Sequence, residues 1–228
     1  MKRIAAVILV GIFVLGMNSC ILDPKEGKTP PKPKEPYKSL DGERDNVLFN
    51  LQKAYVERNI DRYGEILDQG FLFHFGQKDI DSGIIDHSPW DRTEELNANK
   101  NLFNPNFSKP NVDPVSDIDL VLVFPPHDST WTPVPPVDHP DYPGETWYEK
   151  TVVYRLTVQA GQTSYIGNDI QASFVVRQAT VEGYENPIWR IVEWRDDTNA
   201  TFATSLAGRL RSGLVEDTTW GQMKALYE

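Results

Sequence analysis

One cysteine, three methionines and four histidines are all that this 228-residue chain has of the residues that bind soft metals or do thiol chemistry. A lone Cys20 excludes an intrachain disulfide framework and any cysteine-rich zinc site. Basic side chains are scarce too: 23 Lys and Arg face 33 Asp and Glu, a net charge of −10. Nucleic-acid binding needs a basic face to neutralise phosphates, so no nucleic-acid partner is expected. No apolar run reaches the roughly 20 residues that a membrane-spanning helix needs, which excludes a polytopic membrane protein. G-x-S-x-G, P-loop and dinucleotide-binding patterns are missing as well, and no cofactor is expected. What is present, 39% hydrophobic and 11% aromatic residues, is enough for a folded domain.

The start of the chain reads as a targeting segment. Lys2 and Arg3 precede an apolar stretch over residues 4–17, and Asn18, Ser19 and Cys20 follow. A small residue before the sole cysteine resembles the lipobox of bacterial lipoproteins, in which the signal peptidase cuts before the cysteine and acyl chains are then attached to it. Met17 and Asn18 stand where Leu and Ser or Ala are commoner. The alternative is an ordinary signal peptide cut near Ser19, with Cys20 left as a free thiol. The resemblance implies a signal peptide over residues 1–19, palmitate-type lipidation of Cys20 and an extracytoplasmic domain anchored to the membrane through lipid. Ile21, rather than Asp, would favour outer-membrane sorting facing the periplasm in a Gram-negative host. Each buried methylene adds about 0.8 kcal/mol, and stable anchoring takes more than one acyl chain.

Residues 20–40 then form a spacer. Five prolines favour extended polyproline II, and five lysines against Asp23, Glu26 and Glu35 make residues 21–40 slightly basic. The net negative charge therefore belongs to residues 41–228.

Helical patterns come first in that part. Val47, Leu48, Leu51, Ala54 and Tyr55 form one apolar stripe. Asn59 suits the N-cap of a second helix carrying Ile60, Tyr63, Ile66 and Leu67, with Gly70 ending it. Phe71-Leu72-Phe73-His74-Phe75 reads as a short buried strand. Ser88, Pro89 and Asp91 suit the N-cap, N1 and N3 of a third helix that runs to Leu102 or Phe103. Beyond that the period changes to two, over residues 117–124, 146–159, 164–179 and 187–195. Gly167-Asn168-Asp169 suits a bulge. Residues 125–144 hold seven prolines and are expected to be a long loop. Helices followed by long alternating strands indicate an α+β fold with helices on one face of an antiparallel sheet.

Three segments carry a likeness. They are Leu51-Gln52-Lys53-Ala54-Tyr55 with the stretch to Phe73, Trp90-Asp91-Arg92-Thr93-Glu94-Glu95, and Trp189-Arg190-Ile191-Val192-Glu193-Trp194-Arg195-Asp196. In order and spacing they resemble the nuclear transport factor 2-like superfamily, which includes ketosteroid isomerases and polyketide cyclases. The resemblance implies a cone: three N-terminal helices packed on a strongly curved antiparallel sheet over residues 41–200, with a pocket at the wide end. Residues 201–228 would be a C-terminal extension, with a short helix suggested near Thr219-Trp220-Gly221-Gln222-Met223-Lys224. That extension and the Pro-rich loop are the two departures, and either could occlude the pocket.

Enzymes of that superfamily place an acid or base in the cone opposite a hydrogen-bond donor. His74, between Phe73 and Phe75 but pointing the opposite way, is the candidate general base, with Tyr55 as candidate donor. Tyr63, Trp90 and Tyr154 are the candidate pocket-lining residues. The plainer reading makes His74 an edge histidine and the tyrosines packing residues with satisfied hydroxyls. Asp68 reads as a turn residue. His127, Asp128, Asp138, His139 and Asp141 fit no metal motif and read as loop chemistry; Asp79, Asp81 and Asp86 lack the glutamate of a calcium loop. No metal is expected. Two functions stay open. One is a non-catalytic binding or structural module for a small apolar ligand or a protein partner, a homodimer included. The other is a small-molecule isomerase, cyclase or dehydratase. An open polar pocket would indicate the enzyme; a filled cone, or a His74 on the outer sheet face, would indicate the module.

Overall fold

The computed structural model describes residues 35–83, 85–123, 130–135, 138, 142–197, 214–217 and 219–228. Cys20, His127, Asp128, His139 and Asp141 lie outside the described residues. The chain divides into Met1–Pro36 and Tyr37–Glu228, and every described helix and strand belongs to the second unit. That unit takes in residues expected in the spacer. Leu40 is buried, its carbonyl accepts from Trp189 N, and the backbone of Lys38 is held at both its N–H and C=O by Asn50.

Helix α1 (Asp45–Glu57) buries the expected stripe of Val47, Leu48, Leu51, Ala54 and Tyr55. It stops at Arg58, whose left-handed backbone (φ 51°) returns its N–H to the last-turn carbonyls. Asn59 caps α2 (Ile60–Ile66) by accepting from Arg62 N. Strand β1 (Leu67–His74) begins at once, so Gly70 does not end the helix; it lies where β1 slips register against a neighbouring strand. Asp68 is no turn residue either. It is buried and receives Nε and Nη2 of Arg177.

A short helix α3 (Gln77–Asp81) and a two-residue strand β2 (Trp90–Asp91) precede α4 (Arg92–Phe103). The cap of α4 is Asp91 rather than Ser88. Its carboxylate accepts from Thr93 N and Glu94 N, while Glu94 reaches back to Asp91 N. Residue 90 stays extended because the indole of Trp90 is buried and its backbone pairs with Phe73 of β1.

The remaining strands are β3 (Val115–Val123), β4 (Thr132–Val134), β5 (Trp147–Ala160), β6 (Thr163–Ala179), β7 (Ile188–Asp197) and β8 (Leu214–Asp217). Strand β4 corrects the expectation that residues 125–144 hold no regular element: Pro133 sits opposite Tyr148 on an added edge, where a missing N–H is tolerated. Among the described residues one eight-stranded sheet runs β2-β1-β7-β6-β5-β3, with β4 on β5 and β8 on β6. It is open, curved and mostly antiparallel; β1 with β7 and β6 with β8 are parallel pairs. Register shifts interrupt four of the pairings, including one opposite residues 167–170, and bulges of this kind bend and twist strands. The architecture is the α+β cone with helices against a curved sheet.

The final element, α5 (Trp220–Tyr227), starts with a capping box between Thr219 and Gln222. It is part of the core. Trp220, Met223, Lys224 and Tyr227 are buried, Asn101 Nδ2 donates to the Tyr227 carbonyl, and the Tyr227 hydroxyl donates to Asp113 O.

Candidate functional site: the closed interior of the cone

Strand alternation decides where His74 goes. Phe73 and Phe75 turn inward and are buried, so His74 faces the outer side of the sheet, its side chain 36% exposed. Its Nε2 is 3.7 Å from Glu193, beside Arg195. Partial burial holds its pKa below the ordinary 6.5, against the pull of Glu193. The candidate base is therefore separated by the sheet from the interior, where the candidate tyrosines lie.

Tyr55, Tyr63, Trp90 and Tyr154 do share that interior, all at 0–1% exposure. They are joined by residues that sequence reasoning passed over. Helix α4 turns Glu95 and Asn99 inward, and α5 turns Lys224 inward to meet them. Lys224 Nζ lies 2.8 and 2.6 Å from the two oxygens of Glu95. Asn99 Nδ2 donates to Glu95 Oε1 (2.8 Å), Tyr63 donates to the same carboxylate oxygen, and Tyr55 donates to Asn99 Oδ1 (2.7 Å). On the other side Tyr154 donates to Asp196 Oδ1 (2.9 Å). Every candidate tyrosine hydroxyl is thus already committed, and burial raises all three phenols well above the usual tyrosine range.

The signal for the missed residues was there. Glu95 and Asn99 occupy the i and i+4 positions of the stripe Ala98, Leu102 and Phe103 complete, and Lys224 falls in the stripe of Trp220, Met223 and Tyr227. A polar residue at an apolar stripe position needs a partner when buried.

Aromatic rings fill the rest. Trp194 is surrounded by Tyr55, Phe73, Tyr154, Phe174 and Trp220, the last stacked at 6.0 Å and 18°. The ammonium of Lys224 also stands 3.1 Å from the Phe73 ring centroid. Burial pulls its pKa down to about 8, with Glu95 opposing. Helix α5 is held from outside by Asp79, which accepts from Thr219 Oγ1 (2.6 Å) and lies against Gly221. The indole N–H groups of Trp90, Trp194 and Trp220 are buried without an acceptor among the described residues. Among the described residues no group of three His, Cys, Asp or Glu side chains converges as a metal site.

No family model matches the chain, and no curated protein matches it. Solved structures do. Its fold neighbours include nuclear transport factor 2-like proteins. One, of unknown function in nutrient uptake, comes from Rhodospirillum rubrum (10% identity, 68% of this chain and 98% of that one, TM-score 0.37). Another, of unknown function, is from Cytophaga hutchinsonii (9%, 68% and 88%, TM-score 0.33). A conserved protein from Planctomyces limnophilus is also similar (11%, 66% and 89%, TM-score 0.41). Likenesses at this level say nothing of activity.

Proposed function

We propose that the chain is an extracytoplasmic lipoprotein, anchored through Cys20, whose globular domain is a non-catalytic binding or structural module. The observation that carries the reading is the occupied cone. Trp220, Met223 and Tyr227 of α5 stand inside it, and each polar group named as catalytic is either bonded to a neighbour or, in the case of His74, outside. An enzyme of isomerase type needs polar groups converging on a space that substrate can enter, which here would require α5 to leave. Recognition by the tethered domain then falls to its outer face rather than to the cone interior.

An apolar fluorescent probe such as anilinonaphthalene sulfonate tests the occupied cone. The native protein should leave it dark, while Trp220→Ala, which opens an apolar space beside Trp194, should bind it. Stoichiometric uptake by the native protein would overturn the reading. The address is tested separately: Cys20→Ser should move the protein from the membrane to the soluble fraction, and retention with the N-terminus intact would contradict lipid anchoring.

A further inference from the structure

On the helical side of the molecule a surface groove of about 390 Å³ runs between α2, α4 and β7. Three cations line it: Arg92 and Lys100 of α4 and Arg190 of β7. Arg190 is only 7% exposed, and its Nε has no hydrogen-bond partner among the described residues. The Nε of Arg92 is likewise buried and without a partner among the described residues, although its Nη2 donates to the Gly64 carbonyl at 2.8 Å.

The nearby carboxylates are already taken. Both oxygens of Asp68 receive Arg177, and the two oxygens of Glu65 receive Tyr184 and Arg62. Neither Arg92 nor Arg190 forms an ion pair among the described residues. Desolvation lowers the pKa of Arg190; the nearby charge of Asp68 opposes it without an ion-pair contact, and the repulsion of Arg92 adds to it. Buried charges are paired in folded proteins, because an unpaired one is strongly unfavourable. Two neighbouring guanidiniums lining one groove, on a chain of net charge −10, form the kind of donor set that a tetrahedral oxyanion satisfies.

We propose that this groove is a phosphate-binding site, in which Arg190 and Arg92 grip the oxygens of a phosphate group on a small molecule and Lys100 adds charge at the rim. Ile60 and Leu96 on the groove wall would take an apolar part of the ligand beside its phosphate. Asp61 and Glu65, also on the lining, disfavour further negative charge and suit a ligand with one phosphate rather than a polyphosphate chain. The site lies apart from the cone interior, so it does not depend on whether α5 closes the cone.

Inorganic phosphate is the probe, titrated into the full folded unit at constant ionic strength. The reporters are the Nε–Hε signals of Arg190 and Arg92 in heteronuclear NMR, with calorimetry in parallel. Saturable one-site binding that shifts both signals is expected. Arg190→Gln and Arg92→Gln should each weaken it about tenfold or more, as the loss of a charge-assisted hydrogen bond does, and Lys100→Gln about threefold, as the loss of a more exposed charge does. Without phosphate, Arg190→Gln should be no less stable than wild type, because it removes an unpaired charge, and phosphate should no longer raise its melting temperature. If Arg190→Gln fails to fold, Arg190→Lys keeps the charge and loses the fork, and should bind more weakly than wild type. No saturation at tens of millimolar phosphate, or equal affinity in wild type and both arginine variants, would overturn the proposal.

Discussion

Replacing Lys224 by Met removes one half of a fully buried ion pair while keeping the length of the side chain. Glu95 would then hold its carboxylate in the core with only Tyr63 and Asn99 as donors. Breaking a buried pair from one side costs about 3–5 kcal/mol, and for a domain of this size each kcal/mol moves the melting temperature by about 2–4 °C. Lys224→Met should therefore melt about 10 °C lower. Adding Glu95→Gln removes the orphaned charge, yet its amide oxygen can still accept from Tyr63. The double variant should recover to within about 1–2 kcal/mol of wild type, since a buried pair contributes little net stability over neutral replacements. Urea titration followed by tryptophan fluorescence suits the test, because Trp220 and Trp194 stack beside the pair. If the double variant is no more stable than Lys224→Met alone, the two residues are not coupled and the reasoning fails. Wild-type pH dependence supplies a second check. Lys224 gives up its proton near 8 when folded and near 10.5 when unfolded. The unfolded chain thus binds more protons across that window, and the contribution of Lys224 to stability rises with pH between those values. A wild-type minus Lys224→Met difference that stays flat from pH 8 to 10 would contradict it.

Gly221→Ala should destabilise by about 1–3 kcal/mol, because the added Cβ would stand 2.4 Å from Asp79 Oδ2 and 3.0 Å from the Phe75 ring; in denaturant melts a second change, Asp79→Ala, should recover part of the loss, and no recovery would refute the clash. The two described histidines should titrate in opposite directions from 6.5 in one NMR series. His74 goes lower through burial, so its contribution to stability is present above 6.5 and lost as pH falls through its folded value. His87 goes higher through hydrogen bonds to Asp86 and Glu94, so its contribution is present below 6.5 and lost as pH rises through its folded value; the reverse order would refute both assignments.

Periodicity made much of this fold legible. The stripe of α1, the alternation of β3, β5, β6 and β7 and the irregularity near Gly167 all follow from side-chain spacing, because a half-buried element has to place its apolar residues on one face. The start of α4 was misread because Ser88 and Pro89 satisfy local capping rules, while the burial of Trp90 against β1 is a tertiary demand that overrides them. Asp68 was misread for the same reason: its partner Arg177 lies 109 residues away. The site was harder still. Alternation put His74 opposite Phe73 and Phe75, but whether a pocket or the outer face awaited it depended on how the sheet packs. Glu95 and Lys224 were visible as misfits in two separate stripes, and nothing local says that the two misfits meet.

The contact between Glu95 and Lys224 joins residues 129 positions apart, and that fixes an order of events during synthesis. At about 5–20 residues per second, a ribosome that has made α4 needs roughly ten seconds to reach α5. Throughout that interval the nascent chain carries Glu95 without its partner, and from residue 194 onward also a Trp194 that lacks its stacking partner. It cannot close its core early, however soon its helices form. For a chain exported as proposed here, the cone cannot be completed before synthesis reaches α5, so a chain engaged for export before that point is not yet closed around its core.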